Sequence, residues 1–238
     1  MNQLILILRA CLFWVGFSIC ALFYGLISPL LFLLPFHKRF RILLGWARFG
    51  VFWVGVTCGL KHKIIDRYNL DKSKTYIVFS NHQSTYETMA LPIMVPPFSW
   101  ILKRELLRIP FFGWALHHSN PIAIDRSAGQ SAIAQIKSIG KERLDSGLWI
   151  CLFPEGTRVS PEKLGNFKLG GGVLASHTEY PVIPIAHNSG EFWARHQFIK
   201  KPGTITFSIG PEITTKGKKP AEILQEAKQW IEEEKRTF

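Results

Sequence analysis

No aspartate or glutamate precedes Asp66, and charged residues make up only 19% of the 238-residue chain against 47% hydrophobic. A chain so poor in charge and so rich in apolar and aromatic side chains is neither intrinsically disordered nor collagen-like. There are four cysteines, Cys11, Cys20, Cys58 and Cys151. No two of them are spaced for a metal or a redox pair, so they read as small buried hydrophobes in a reducing compartment. The sequence lacks the Gly-x-Ser-x-Gly elbow of serine hydrolases. His-Glu-x-x-His is missing too, and His117 and His118 are adjacent rather than at ligand spacing. Neither Gly-x-Gly-x-x-Gly nor Gly-x4-Gly-Lys-Ser/Thr occurs, which argues against a dinucleotide site or a P-loop. No internal repeat or low-complexity segment is present.

What is present is a basic, apolar N-terminal quarter. The formal net charge is +12. Residues 1–60 contribute Arg9, Lys38, Arg39, Arg41 and Arg48 to it. Ala10–Leu34 carries no charge. A helix of that length measures roughly 37 Å, enough for a hydrocarbon core of about 30 Å. No Ala-x-Ala cleavage pattern follows, so the segment is expected to be kept. A second apolar stretch, Ile42–Leu60, is interrupted only by Arg48. Two topologies fit: a bilayer span by the first run, or a helical hairpin set into one leaflet with Pro29 and Pro35 near its turn. The Lys38, Arg39 and Arg41 flank assigns that side to the cytoplasm. The expectation is a membrane-associated helical segment over residues 1–60, an α/β domain over residues 61–238, and attachment to the inner, cytoplasmic membrane with the α/β domain on its cytoplasmic side.

Beyond Lys61 short strands alternate with helices. Strands are expected at Thr75–Ser80, Ser99–Leu102, Pro121–Ile124, Trp149–Phe153, Pro181–Ala186 and Thr204–Ile209. Helices are expected at Gln130–Asp145 and Ala221–Glu234, the latter with Ile223, Leu224, Ala227, Trp230 and Ile231 on one stripe. This alternation predicts an α/β fold with a mostly parallel sheet flanked by helices. In such sheets ligands bind beyond the carboxyl ends of the strands.

Three polar clusters follow predicted strands. In Ser80-Asn-His-Gln-Ser-Thr-Tyr-Glu87, His82 and Glu87 are five apart and would diverge on one continuous helix. They meet only if His82 sits in the strand-to-helix turn and Glu87 opens the helix, where a carboxylate is favoured. So placed, Glu87 fixes the imidazole tautomer and His82 can take a proton from a hydroxyl. Spacing alone also allows a turn histidine beside a solvated carboxylate. In Phe153-Pro-Glu-Gly-Thr-Arg158, Gly156 allows a tight turn and Arg158 offers a planar fork for phosphate. Glu155 could accept from a substrate hydroxyl or brace the arginine. The third cluster, Ile124-Asp-Arg126, supplies a second candidate phosphate ligand, Arg126. Lys103 could add positive potential from another strand end. Gly170-Gly-Gly172 gives either close packing or an anion-binding helix start. A base-like histidine without an enzyme nucleophile implies that the nucleophile belongs to the substrate.

Taken in order, Asn81-His82-x4-Glu87, Ile122-Ala-Ile-Asp-Arg126, Phe153-Pro-Glu-Gly-Thr-Arg158 and Val182-Ile-Pro-Ile-Ala186 resemble the glycerolipid acyltransferase superfamily, and within it the lysophosphatidic acid acyltransferases. The motifs cover roughly residues 80–190. One position departs from the pattern: the usual block is His-x4-Asp, and here the carboxylate is Glu87, longer by roughly 1–1.5 Å. The resemblance implies transfer of an acyl chain, from a thioester of acyl carrier protein or coenzyme A, to the 2-hydroxyl of lysophosphatidic acid, giving phosphatidic acid. It makes His82 the base, Glu87 its orienting group, and Arg126, Glu155, Gly156, Thr157 and Arg158 the glycerol-phosphate site. It implies no metal or other cofactor, and a lipid bilayer as partner. An apolar tunnel for the acyl chain is expected, with Pro92–Phe98 and Phe111–Trp114 as candidate walls. A neutral lysolipid acceptor would leave the two arginines unexplained. A non-catalytic lipid-binding protein on the same fold would be expected to lack His82. A nucleic-acid partner is disfavoured, because the charge excess clusters beside apolar segments and no recognised motif accompanies it.

Overall fold

The uncharged run forms α1 (Gln3–Leu31) and the interrupted one α2 (Phe36–Cys58) in the computed structural model, which describes residues 2–125 and 127–238. Pro35 caps α2, and Gly59, at φ 68°, ends it in the left-handed conformation that glycine adopts most readily. The two helices form an antiparallel hairpin. Trp53 Nε1 donates to the Phe13 carbonyl at 3.2 Å, and the indole lies where a Cβ on Gly16 would stand, so α1 needs a glycine there. Ala10, Phe13, Gly25, Ser28 and Leu31 turn inward. Leu4, Leu8, Leu12, Ile19, Leu26 and Leu30 form an exposed apolar face along the whole helix. Cys11 is also exposed and Cys20 only half-buried, contrary to the expectation of four buried thiols, because both lie on α1, which is covered on one side only; all four cysteines are free.

The α/β part is a seven-stranded sheet of β1 (Leu60–Asp66), β2 (Ile77–Ser80), β3 (Phe98–Lys103), β4 (Ile122–Ile124), β5 (Trp149–Leu152), β6 (Val182–His187) and β7 (Gly203–Ile209), in the order β1-β7-β6-β2-β5-β3-β4. Every neighbouring pair is parallel except β6 and β7. β2, β5 and β6 are buried throughout, as central strands covered on both faces must be. The helices are α3 (Tyr86–Met94), α4 (Phe112–His117), α5 (Gln130–Asp145), α6 (Leu169–Thr178), α7 (Ser189–Phe192) and α8 (Pro220–Lys235). Strand β1 was not expected, because lysines alternate with its inward residues. It pairs with β7 from Leu60↔Gly203 to Asp66↔Ile209.

Strand alternation divides the interior into two cores. Val78, Phe98 and Cys151 face α3 and the hairpin residues Phe13, Phe40 and Val54. Ile77, Phe79, Ile150 and Leu152 face Ile136 of α5, Leu174 of α6 and Ile223 of α8. The hairpin therefore completes one face of the sheet. Of the two roles open to the triple glycine, Gly171 and Gly172 serve close packing: a Cβ on Gly172 would stand 2.4 Å from the Pro220 carbonyl oxygen, and one on Gly171 2.8 Å from Leu152.

Candidate active site

Three strand ends converge on the site. His82 follows β2, and Glu87 lies in the first turn of α3, with the turn between them folding the pair together. His82 Nδ1 is 2.9 Å from Glu87 Oε1. An ionised carboxylate can only accept, so Nδ1 carries a proton, and in the neutral imidazole the lone pair is then on Nε2. The ring stacks on Phe153, at the end of β5, with centroids 4.0 Å apart. The side chain of Glu87 is fully buried, whereas that of His82 keeps 15% exposure.

The buried carboxylate is surrounded by donors. Glu87 Oε1 also accepts the backbone N–H of Gln83 at 2.9 Å and of Ser84 at 2.7 Å. Oε2 accepts the Ser189 hydroxyl at 2.7 Å. Burial pushes this carboxyl up, but the neighbouring imidazoles of His187 and His82 and the hydrogen bonds outweigh it and hold it at about 2. The longer glutamate thus reaches both His82 and Ser189 from one position.

Behind Ser189 is a second histidine that no motif singled out. His187 is completely buried, with Nε2 2.7 Å from the Asn81 carbonyl and Nδ1 3.0 Å from Ser189 Oγ. Asn81 returns two bonds to the His187 backbone, at 2.9 and 3.0 Å. Burial lowers the His187 pKa to about 4, despite the opposing charge of Glu87, so at neutral pH it is a neutral brace.

The second motif arrives after β5. Gly156 adopts φ 72°, as the expected tight turn requires. Glu155 is 3% exposed and uses both oxygens on backbone, accepting from His82 N at 2.9 Å and Gly165 N at 3.1 Å. It therefore fixes the His82 turn and makes no ion pair with Arg158. Burial raises its pKa to about 7, and those two N–H groups oppose the rise. Thr157 is exposed and accepts from Arg195 at 3.4 Å. The Arg158 guanidinium is partly buried beside them. Lys103 ends β3 with its ammonium 3.4 Å from Glu105. Arg126 falls outside the described residues.

An apolar cleft opens between the hairpin and the sheet. Tyr24, Leu44, Ala47, Pro92, Phe98 and Phe112 line it, so both predicted wall segments contribute. Trp100 also borders it and stacks on Phe153, which stacks on His82, so the cleft leads toward the imidazole.

A buried carboxylate–histidine pair whose Nε2 makes no hydrogen bond among the described residues, with the residue after Arg158 donating its N–H to the His82 carbonyl and an apolar cleft reaching the ring through Trp100 and Phe153, suits proton abstraction from a hydroxyl of an amphipathic substrate. The acyltransferase family model matches residues 61–188. The chain belongs to the acyltransferase family. It is 40% identical over 95% of its length to 1-acyl-sn-glycerol-3-phosphate acyltransferase of Pseudomonas aeruginosa, covering 90% of that protein. It is 33% identical over 75% of its length to the protein of the same name from Saccharomyces cerevisiae, covering 59% of it. The crystal structure of the 1-acyl-sn-glycerophosphate (LPA) acyltransferase PlsC from Thermotoga maritima superposes with a TM-score of 0.77 over 99% of this chain and 98% of that one, at 22% identity. That match is one of fold.

Proposed function

We propose that this enzyme transfers an acyl group from a thioester, carried by acyl carrier protein or coenzyme A, to the 2-hydroxyl of lysophosphatidic acid, producing phosphatidic acid. The observation that carries the reading is the 2.9 Å His82–Glu87 contact, on a ring whose Nε2 makes no hydrogen bond among the described residues and which the apolar cleft approaches through Trp100 and Phe153. The names of the relatives support the acceptor. In the proposed reaction His82 Nε2 removes the hydroxyl proton as the oxygen attacks the thioester carbonyl. Glu87 stabilises the imidazolium that forms. Collapse of the tetrahedral oxyanion breaks the C–S bond, the thiolate takes up the proton, and the new ester is released. Arg158 and Arg126 hold the phosphate, with Glu155, Gly156 and Thr157 shaping that subsite and Lys103 adding positive potential. The acyl chain lies in the cleft. This chemistry draws on no metal or organic cofactor.

The hairpin is assigned to one leaflet of the cytoplasmic membrane, with the α/β domain on the cytoplasmic side. In support, α1 packs against the α/β part at two places along its length, through Phe13 on Trp193 and Gly25 against Phe111, rather than projecting away from it. Its exposed face is apolar along its length, and Lys38, Arg39 and Arg41 supply positive charge for an anionic lipid surface.

The test is a transfer assay with purified protein in lipid, labelled lysophosphatidic acid, and acyl carrier protein and coenzyme A thioesters offered in parallel. Labelled phosphatidic acid is expected, and the productive thioester identifies the donor. Acylation of a different lysolipid, with none of lysophosphatidic acid, would overturn the acceptor assignment.

A further inference from the structure

Arg195 belongs to none of the motifs, yet it stands at the phosphate subsite. It lies between α7 and β7, and its Nη1 is 3.4 Å from Thr157 Oγ1, next to Arg158. Arg158, Arg195 and Lys201 line one polar cavity of about 560 Å³. Among the described residues, none of the three cations makes an ion pair. Glu162 and Glu191 also border the cavity, and Glu191 is engaged by Asn188 Nδ2 at 3.1 Å. Arg158 Nε is buried and has no hydrogen-bond partner among the described residues. Burial and, after it, the Arg195 charge weaken the hold of Arg158 on its proton, against the pull of Glu87. Two guanidinium groups that line one cavity, neither of them ion-paired among the described residues, favour a doubly charged, multi-acceptor anion between them.

The segment that carries Arg195 is anchored on α1. Trp193 packs edge-on against Phe13 and Trp14, with centroids 5.3 and 5.9 Å apart. Lys200 is 1% exposed, and its ammonium sits 4.3, 4.1 and 4.7 Å from the ring centroids of Phe13, Trp14 and Trp193. It also donates to the Phe198 carbonyl at 2.8 Å. Cation–π contacts of a desolvated ammonium are the stronger kind. Arg195 is thus held between two anchors that both reach the membrane hairpin.

We propose that Arg195 is a second ligand of the phosphate monoester bound by Arg158, and that α1 positions it through Trp193 and Lys200. This rests on the acceptor reading above, in which that phosphate is the headgroup of lysophosphatidic acid; a phosphate of the acyl donor offers the same chemistry. The test uses the full chain in lipid, with Arg195→Ala and Arg195→Lys, varying lysophosphatidic acid and donor separately. Arg195→Ala is expected to raise KM for lysophosphatidic acid by about tenfold or more, as loss of a charge-assisted hydrogen bond would. Its kcat, donor KM and melting temperature should stay near those of the parent, since the side chain is exposed. Arg195→Lys should recover part of the affinity. An unchanged KM for lysophosphatidic acid in folded Arg195→Ala overturns the proposal, and a rise confined to the donor KM moves the residue to the donor site and overturns it equally. Calorimetric binding of glycerol 3-phosphate to parent and Arg195→Ala needs no turnover. Weaker binding to the variant supports the phosphate ligand even if the acceptor reading fails, and equal binding contradicts it.

Discussion

Ser189 donates its hydroxyl to Glu87 Oε2 at 2.7 Å, while His82 holds Oε1 at 2.9 Å. The carboxylate that holds the His82 ring is therefore itself held from the far end of β6, by a residue 102 positions away in sequence. A carboxylate swung off this anchor no longer presents the same lone pair to the imidazole.

Removing that anchor should act through Glu87 and leave the substrates alone. Ser189→Ala is expected to lower kcat by about tenfold with both KM values unchanged, on the scale of a hydrogen bond to a charged group. Steady-state kinetics checks this; a change confined to KM would contradict the positioning role.

His187 makes a prediction about acid stability. Its pKa in the folded protein is about 4, below the usual 6.5. Between these values the unfolded chain binds a proton that the folded one does not. Stability from this residue is therefore complete above pH 6.5 and lost as pH falls toward 4. Glu87, held at about 2 from 4.5, adds a further loss below pH 4.5. Melting curves should show the upper part of the slope in the parent and not in His187→Gln.

The fold was legible where local pattern decides structure, and the site where chemistry is local. The helix Gln130–Asp145 matches the expected bounds, and each of the six expected strands is found within two residues or so at its ends. His82 and Glu87 could be paired because the turn between them is short. What stayed hidden depends on tertiary contact. Strand β1 is stabilised by β7, more than a hundred positions on, and its lysines mask the alternation. Ser189, His187 and Arg195 carry no local signal, since an isolated serine, histidine or arginine gains its role only when β6 is laid beside β2. The double role of Glu155 toward the His82 and Gly165 backbone has the same origin.

The cleft under the hairpin should set which acyl chains react well. Ala115 lines it and is only partly buried, so a larger side chain there narrows the cleft with little strain on the core. Ala115→Phe is expected to shift preference toward shorter acyl chains in a competition assay with mixed donors. An unaltered product distribution would contradict the assignment of this cleft to the acyl chain.

The outer face of α1 should carry membrane attachment. Ile19 and Leu26 are 64% and 59% exposed and contact lipid in the proposed topology. Charged side chains are unfavourable in that environment. Ile19→Glu combined with Leu26→Glu is expected to reduce co-sedimentation with anionic vesicles several-fold while leaving the far-ultraviolet circular dichroism unchanged. Undiminished vesicle binding would place the lipid contact elsewhere.

The most direct test of the central claim is the turnover of His82→Ala beside the parent, at saturating lysophosphatidic acid and acyl thioester, with melting temperature recorded for both. If His82 is the base, kcat falls by two to four orders of magnitude, the range general-base catalysis supplies, while KM and the melting temperature stay close to the parent's. A folded His82→Ala protein that forms phosphatidic acid at a rate near that of the parent would contradict the account.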